Sequence, residues 1–456
     1  MKPPLLFHST NGTGYPVTFR EALLRGQAPD KGLYMPDLIP GLTLEEISSF
    51  RDKSYAEIAF AVTRKFLEGQ IPGEDLMKLV TDAYDYDVPL EKVTGRRYVM
   101  RLDQGPTASF KDFAARFMGR LMQFYLKEDK RKLLILTATS GDTGSAVANA
   151  FYGLNNINVV VLFPTGEVTD RQRKQMTTLG RNVRILGLDA KFDDCQALVK
   201  KAFADPDLEA MNLSSANSIN IGRLVPQAVY YFYAYARLAK ACEKVIFSVP
   251  SGNFGDMMGG VIAMKMGLPV KMFVIATNEN DEFPEYVRSG IYHKIEPSRN
   301  CISSAMNVGH PSNLARLVSL YGGNMDETGK IHRQADLDKI RKDLFAVSIG
   351  DERTKQTIGD AYRHYGLLLE PHGAVGWAGL EEYLKTSPED DNNDQLCVSL
   401  ETAHPAKFPQ EIRAILSIDP DLPPSLEGIE QKPENYQRLD PNYLTFKNYL
   451  LSTFKS

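Results

Sequence analysis

A chain of 456 residues is too long for a single core and should divide into two or three folding units. Its 53 basic and 57 acidic residues are nearly balanced and well mixed, which argues against a nucleic-acid groove or a polybasic membrane patch. Cys195, Cys242, Cys301 and Cys397 are widely spaced, residues 1–8 are too weakly apolar for a secretory signal, and apolar runs such as 159–163 have strand length; no metal, disulfide framework or membrane span is expected, and a cytoplasmic location is.

Residues 1–96 read mostly as helices and loops, with Ile58, Ala59, Val62 and Phe66 on one helical face. From about residue 98, short apolar runs alternate with amphipathic helices. Strands are predicted over 132–136, 158–163 and 183–188, and helices over 145–152, 169–179 and 193–203. The alternation resumes with strands over 245–249 and 272–276, a helix after Gly255, a helix over 374–384 and a strand over 396–400. This pattern predicts parallel sheets covered on both faces, in two α/β units with a cleft between them. The acidic stretch 387–394 reads as a surface loop with no role.

In open α/β sheets, ligands gather where strands end and helices begin, because amide groups and the helix dipole point there. Three such junctions carry unusual residues. The first is Gly105-Pro106-Thr107-Ala108-Ser109-Phe110-Lys111-Asp112-Phe113, where Ser109 is expected to cap a helix with Phe113, Phe117 and Leu121 on its apolar face. Lys111 in the first turn opposes the helix dipole, which would help to lower its pKa, as an amine nucleophile needs. The bland reading is an indifferent surface lysine beside Asp112.

The second junction, Thr137-Ala138-Thr139-Ser140-Gly141-Asp142-Thr143-Gly144, suits either an anion held by amides and hydroxyls or a plain helix start with Asp142 or Thr143 as N-cap. The third, Pro250-Ser251-Gly252-Asn253-Phe254-Gly255-Asp256, could cradle a phosphate on its amides. It lacks the lysine of a nucleotide-binding loop and the spacing of a dinucleotide fingerprint.

Together these strings resemble threonine synthase, a pyridoxal-phosphate enzyme family of the tryptophan-synthase-β fold group. The resemblance continues through Asn217-Ser218-Ile219-Asn220-Ile221 with Arg223, Ala276-Thr277-Asn278 and Thr402-Ala403-His404-Pro405-Ala406-Lys407-Phe408. It implies fold type II: two three-layer α/β units with mostly parallel sheets around a cofactor cleft, plus an N-terminal mostly helical region. The expected division is 1–96, helical; 97–243, a smaller α/β domain with Lys111 and the 140–144 loop; and 244–456, a larger α/β domain with the phosphate loop and Thr402.

The resemblance also implies roles. Lys111 would carry pyridoxal phosphate and move protons at the substrate's α and β carbons. Gly252, Asn253, Phe254, Gly255 and Asp256 would hold the cofactor phosphate, and Thr402 would face the pyridine nitrogen. Ser140, Gly141, Asp142 and Thr143 would lie at the substrate carboxylate. There an ionised Asp142 would repel the anion, leaving amides and hydroxyls to hold it. Asn217, Ser218, Asn220 and Arg223 form the candidate cluster for the substrate phosphate, with His404 and Lys407 as further candidates.

The implied reaction converts O-phosphohomoserine and water to threonine and phosphate, on a monomer. The alternatives are a phospho-lyase releasing 2-oxobutyrate, phosphate and ammonia, a serine or threonine dehydratase, or a paralogue that binds without turnover. Two departures from the family pattern flank the cofactor strings. Asp103-Gln104 stands where an aromatic and a histidine are frequent, and Glu401 where a small residue is frequent.

Overall fold

The structure is a computed structural model that describes residues 4–127 and 131–454. Residues 1–3, part of the N-terminal stretch considered above, lie outside the described residues, as do the outermost residues of the first and last expected domains. Two mostly parallel sheets organise the chain. One has six strands in the order Leu344–Ser348, Val270–Thr277, Val245–Pro250, Cys397–Glu401, Arg97–Arg101 and Leu90–Thr94, all parallel except the last. The other is parallel throughout, in the order Gln437–Leu439, Val183–Leu188, Ile157–Pro164, Leu133–Ala138 and Leu213–Ser215.

Strand periodicity explains the layering. Along Leu133–Ala138 every residue is buried. Leu133 and Ile135 enter the large central core, while Leu134, Leu136 and Ala138 enter a second core on the opposite face. Val159, Val161 and Phe163 alternate in the same way with Val160 and Leu162. Successive side chains point to opposite faces, so a continuous apolar run is stable only where helices cover both. The helix Phe192–Phe203 supplies that cover through Leu198 and Val199, and Tyr443–Phe454 through Phe446 and Leu450. In the larger sheet Phe247 and Phe273 face the central core, while Ile246 and Val274 pack with Leu380, Tyr383 and Leu384 of the helix Pro371–Thr386.

The helix Tyr55–Leu67 forms as its pattern predicts, with Ile58, Ala59, Val62 and Phe66 fully buried and a capping box made by Ser54 and Glu57. The first 96 residues are nevertheless less helical than expected. A three-stranded antiparallel sheet joins Leu6–Ser9 to Val17–Thr18 and Tyr34–Pro36, and Leu90–Thr94 hairpins onto Arg97–Arg101. Strands of two to five residues are too short to display a period.

Sheet membership also departs from the expected division in two places. Arg97–Arg101, assigned above to the smaller unit, pairs in parallel with Cys397–Glu401 in the larger sheet. The C-terminal Gln437–Leu439 pairs with Val183–Leu188 and so returns to the smaller sheet. Both pairings join segments roughly 250–300 residues apart, beyond the reach of any local pattern. The acidic stretch is not wholly without a role, because Asp390 is buried, accepts the Tyr383 hydroxyl at 2.7 Å and pairs with Lys271.

Candidate active site

The three junctions converge at the carboxyl ends of the two sheets. One pocket is lined by Lys111, Ser140, Asp142, Thr143, Asn217, Ser218, Arg223, Gly252, Asn253, Phe254, Gly255, Asp256 and Thr402. Of the site candidates named above, Gly141, Asn220, His404 and Lys407 stay outside its lining.

Lys111 opens the helix Lys111–Leu126, and its ammonium nitrogen lies 4.5 Å from the Phe110 ring centroid and 3.9 Å from Asp142 Oδ2. Burial pushes its pKa down, and Lys407 and Arg223 add to this, while Asp142 opposes it. Ser109 does not cap this helix; its buried hydroxyl has no partner. Asp112 ties the turn instead, accepting from the Thr107 amide at 2.8 Å and the Thr107 hydroxyl at 2.7 Å.

At the second junction neither Asp142 nor Thr143 is the cap. Gly141 precedes the helix Asp142–Phe151 with φ 133°, and Thr139 Oγ1 accepts from the amides of Gly141 at 2.9 Å and Gly144 at 2.7 Å. That φ suits only glycine. Asp142 turns inward, where Oδ1 meets Lys407 Nζ at 2.6 Å and Gln172 Nε2 at 2.9 Å. Burial would raise this carboxyl, but Lys407 and Lys111 more than offset it and hold it well below the usual range. An ionised Asp142 so engaged leaves the half-buried Ser140 and Thr143 to face an anion. Lys407 is itself fully buried and also donates to the Thr107 carbonyl at 2.8 Å, so it anchors Asp142 rather than facing the pocket. His404 caps the next turn by accepting from the Ala406 amide at 3.1 Å, and burial and Arg101 push its pKa down to about 4.

The third junction enters the helix Gly255–Lys265 through Phe254 in the left-handed region, φ 60°. Among the described residues the amides of Gly252 to Met257 donate to no protein acceptor, and the first three of the helix are orphaned by geometry. A Cβ on Gly252 would stand 2.9 Å from the Ala305 carbonyl and from Met306 Cα, so only glycine lets the chain pass there. A cradle of free amides at a helix N-terminus, closed by glycine, fits a phosphate dianion. Asp256 contributes its amide, whereas its carboxylate accepts from Tyr231 at 2.7 Å and from Tyr230, and burial pushes it up to about 6.

Arg223 reaches the pocket with Nε unpartnered while another guanidinium nitrogen donates to the Ala216 carbonyl; burial pushes its pKa down to about 10, which leaves it charged at neutral pH. Asn220 is structural. It donates to Leu23 O at 2.8 Å and Ser215 O at 2.9 Å and accepts from Gly222 N at 2.9 Å.

Residues 88–400 match the model of the pyridoxal-phosphate dependent enzymes, 6–84 that of the threonine synthase N terminus, and 373–449 that of the threonine synthase C-terminal region. The chain is 40% identical over 440 residues to threonine synthase of Haemophilus influenzae, covering 96% of this chain and 97% of that one. It is 36% identical over 438 residues to threonine synthase of Escherichia coli, with 96% and 97% covered. The chain belongs to the threonine synthase family. A crystal structure of pyridoxal-phosphate-bound threonine synthase from Brucella melitensis superposes with a TM-score of 0.91 at 35% identity, covering 99% of this chain and all of that one. The protein is thus a pyridoxal-phosphate-dependent enzyme of fold type II, and the pocket fits that cofactor: a buried, pKa-depressed lysine stands near an orphaned amide cradle.

Several residues at or behind this threonine synthase family pocket escaped the sequence reading, of which His372 lines it. Glu370 accepts from the amides of His372 at 2.7 Å and Gly373 at 3.0 Å and from the Thr402 hydroxyl at 3.4 Å. His372 Nε2 accepts from the Ala305 amide at 3.0 Å, so its Nδ1 carries the proton donated to Glu370. Arg316, fully buried on the helix Leu314–Leu320, donates to Tyr34 O at 3.2 Å, Ser218 O at 3.0 Å and Ile219 O at 2.6 Å. Asn313 beside it donates to Asn253 O at 2.9 Å, linking the N-terminal sheet to the 252–255 loop. Only Glu-Pro-His at 370–372, before an apolar helix, carries a sequence signal, as a helix N-terminus.

Among the described residues no helix is long and apolar enough to cross a membrane, and no three metal-ligating side chains cluster.

Proposed function

We propose that the chain converts O-phosphohomoserine and water to threonine and phosphate, with Lys111 as its proton-moving residue. The observation that carries this is the convergence in one pocket of a pKa-depressed lysine, an orphaned amide cradle and a second cationic corner at Arg223. Pyridoxal phosphate, when bound, supplies an electron sink for the substrate's α carbon.

The chain's own residues do the rest. Lys111 takes protons from the α and then the β carbon as phosphate leaves from the γ carbon; protons return to the γ and α carbons and the hydroxyl of water joins the β carbon before release. Its burial favours the neutral amine this needs. The amides of Gly252 to Asp256 hold the cofactor phosphate, and Thr402 faces the pyridine nitrogen. Ser140 and Thr143 hydroxyls hold the substrate carboxylate, while Asp142, engaged by Lys407 and Gln172, stays turned to cations. Arg223, with Asn217 and Ser218, takes the departing phosphate, for which a desolvated guanidinium is suited. Asn220 acts indirectly, by shaping the turn that presents Arg223.

Incubating the purified protein with O-phosphohomoserine, and following phosphate, threonine and 2-oxobutyrate together, tests the reaction. Phosphate matched by threonine supports it, whereas phosphate matched by 2-oxobutyrate makes the protein a phospho-lyase. We further propose a cytoplasmic monomer, which light scattering and cell fractionation would check.

A further inference from the structure

The two departures from the family pattern, Asp103 and Glu401, meet at one side chain. Arg101 is the register neighbour of Glu401 across the parallel pair. Its Nη1 lies 3.6 Å from Glu401 Oε1 and 4.0 Å from Asp103 Oδ2, while its other nitrogens hold Glu91 at 2.8 Å and Leu368 O at 3.1 Å. Glu401 is fully buried and accepts from the Glu370 amide at 2.8 Å. Its second oxygen has no partner and occupies the place of a missing side chain: a Cβ on Gly373 would fall 1.5 Å from it. Glutamate at 401 in this position therefore requires glycine at 373. Glu370, in turn, is the carboxylate that receives the Thr402 hydroxyl at 3.4 Å.

We propose that Glu401 is a positioning residue for the cofactor's ring nitrogen: lodged in the space that glycine leaves at position 373 and braced by Arg101, it fixes Glu370 and, through Glu370, the Thr402 hydroxyl. This rests on the reading that places Thr402 at that nitrogen. Neutral hydroxyl partners exert little pull on a pyridine nitrogen, but a hydroxyl donating to a carboxylate is polarised, and its oxygen becomes the better acceptor. The charge behind Thr402 thus becomes adjustable.

The groups facing Glu401 are Arg101 and Asp103 from the Arg97–Arg101 strand and the loop after it, and Glu370 from the start of the Pro371–Thr386 helix. Glu91 pairs with Arg101 from the hairpin strand, while His372 lies across Glu370 and His404 beyond Thr402. Burial, then Glu370, push Glu401 well above the usual carboxylate range against Arg101. A negative charge on Glu401, behind Thr402, is thereby disfavoured, and rising pH favours it.

The test is absorbance of the cofactor-loaded protein against pH, for wild type, Glu401→Gln and Thr402→Val, with kcat and KM measured alongside. Thr402→Val should shift the cofactor band. Wild type should show a change in the band with pH, above the usual carboxylate range, that Glu401→Gln abolishes, with kcat lower by about tenfold, the scale at which outer partners of a site act, and KM nearly unchanged. Gly373→Ala should lower the melting temperature, and adding Glu401→Gly should recover it, with the band then matching that of Glu401→Gly alone. A Glu401→Gln protein that melts lower but titrates as wild type would make Glu401 merely structural and overturn the proposal, leaving the reaction untouched. A Thr402→Val protein with an unmoved band would overturn the placement of Thr402, and this proposal with it, whatever products the wild type makes.

Discussion

Replacing Lys407 by methionine removes a charge from the interior while keeping most of the volume. The amine lies 2.6 Å from Asp142 Oδ1, and both side chains are buried. With an effective dielectric constant of about 20, the gross attraction at that distance is about 6 kcal/mol, against about 4 kcal/mol for Lys111 at 3.9 Å. Desolvation consumes part of each, and removing one member of a buried pair costs about 3–5 kcal/mol net, because the other charge is stranded. Asp142→Asn removes that stranded charge, so the double variant should recover about 2 kcal/mol or more. The sign with pH follows from Asp142, whose folded pKa lies below its unfolded one. Its contribution is present in full above about pH 4 and is lost as the pH falls through the folded value. Lys111 is affected too: without Lys407 its amine keeps more of the pull of Asp142, its pKa rises, and the acid limb of the activity profile should move to higher pH. Denaturant titrations of the cofactor-free protein for the two single variants and the double, with pH–rate profiles of the loaded enzymes, provide the measurements. A Lys407→Met cost below about 1 kcal/mol, the value of an exposed pair, or no recovery in the double variant, would refute the reasoning.

Three further outcomes are expected. Lys111→Ala should lose turnover by about a thousandfold or more, with the visible band of the lysine-bound cofactor gone; absorbance and product assays check both. Glu282, buried with one oxygen unpartnered, has its carboxyl pushed up by burial to about 8. A carboxyl raised in the folded state favours folding at low pH, so stability should fall by a few kcal/mol between about pH 4 and pH 8, and Glu282→Gln should flatten that slope in melting curves. Asn220→Ala, which breaks its hydrogen bonds to Leu23, Ser215 and Gly222, should cost about 2–3 kcal/mol in denaturant titrations. Its KM should change much less than that of an Arg223 variant.

Local order set much of this protein in the sequence itself. The strand Val183–Leu188 and the helix Tyr55–Leu67 fall where their patterns put them, because a buried strand and a capped amphipathic helix are specified by neighbours within a few residues. The three strand-to-helix junctions were legible for the same reason, and Lys111, Arg223 and the glycine loop do line one pocket. Which group caps a turn was not legible: Thr139 holds amides that Asp142 or Thr143 was expected to hold, and Asp112 ties the turn before a helix that Ser109 was expected to cap but that has no side-chain cap, since hydroxyls and carboxylates two to five residues apart compete for nearby amides. Farther contacts lay wholly outside the pattern. Arg101 beside Glu401, Lys407 on Asp142, Arg316 on Ser218 and the return of Gln437–Leu439 to the smaller sheet join residues roughly 100 to 300 positions apart. A buried charge must find its partner in space rather than along the chain, so the electrostatics around Lys111 were decided only when the two sheets came together.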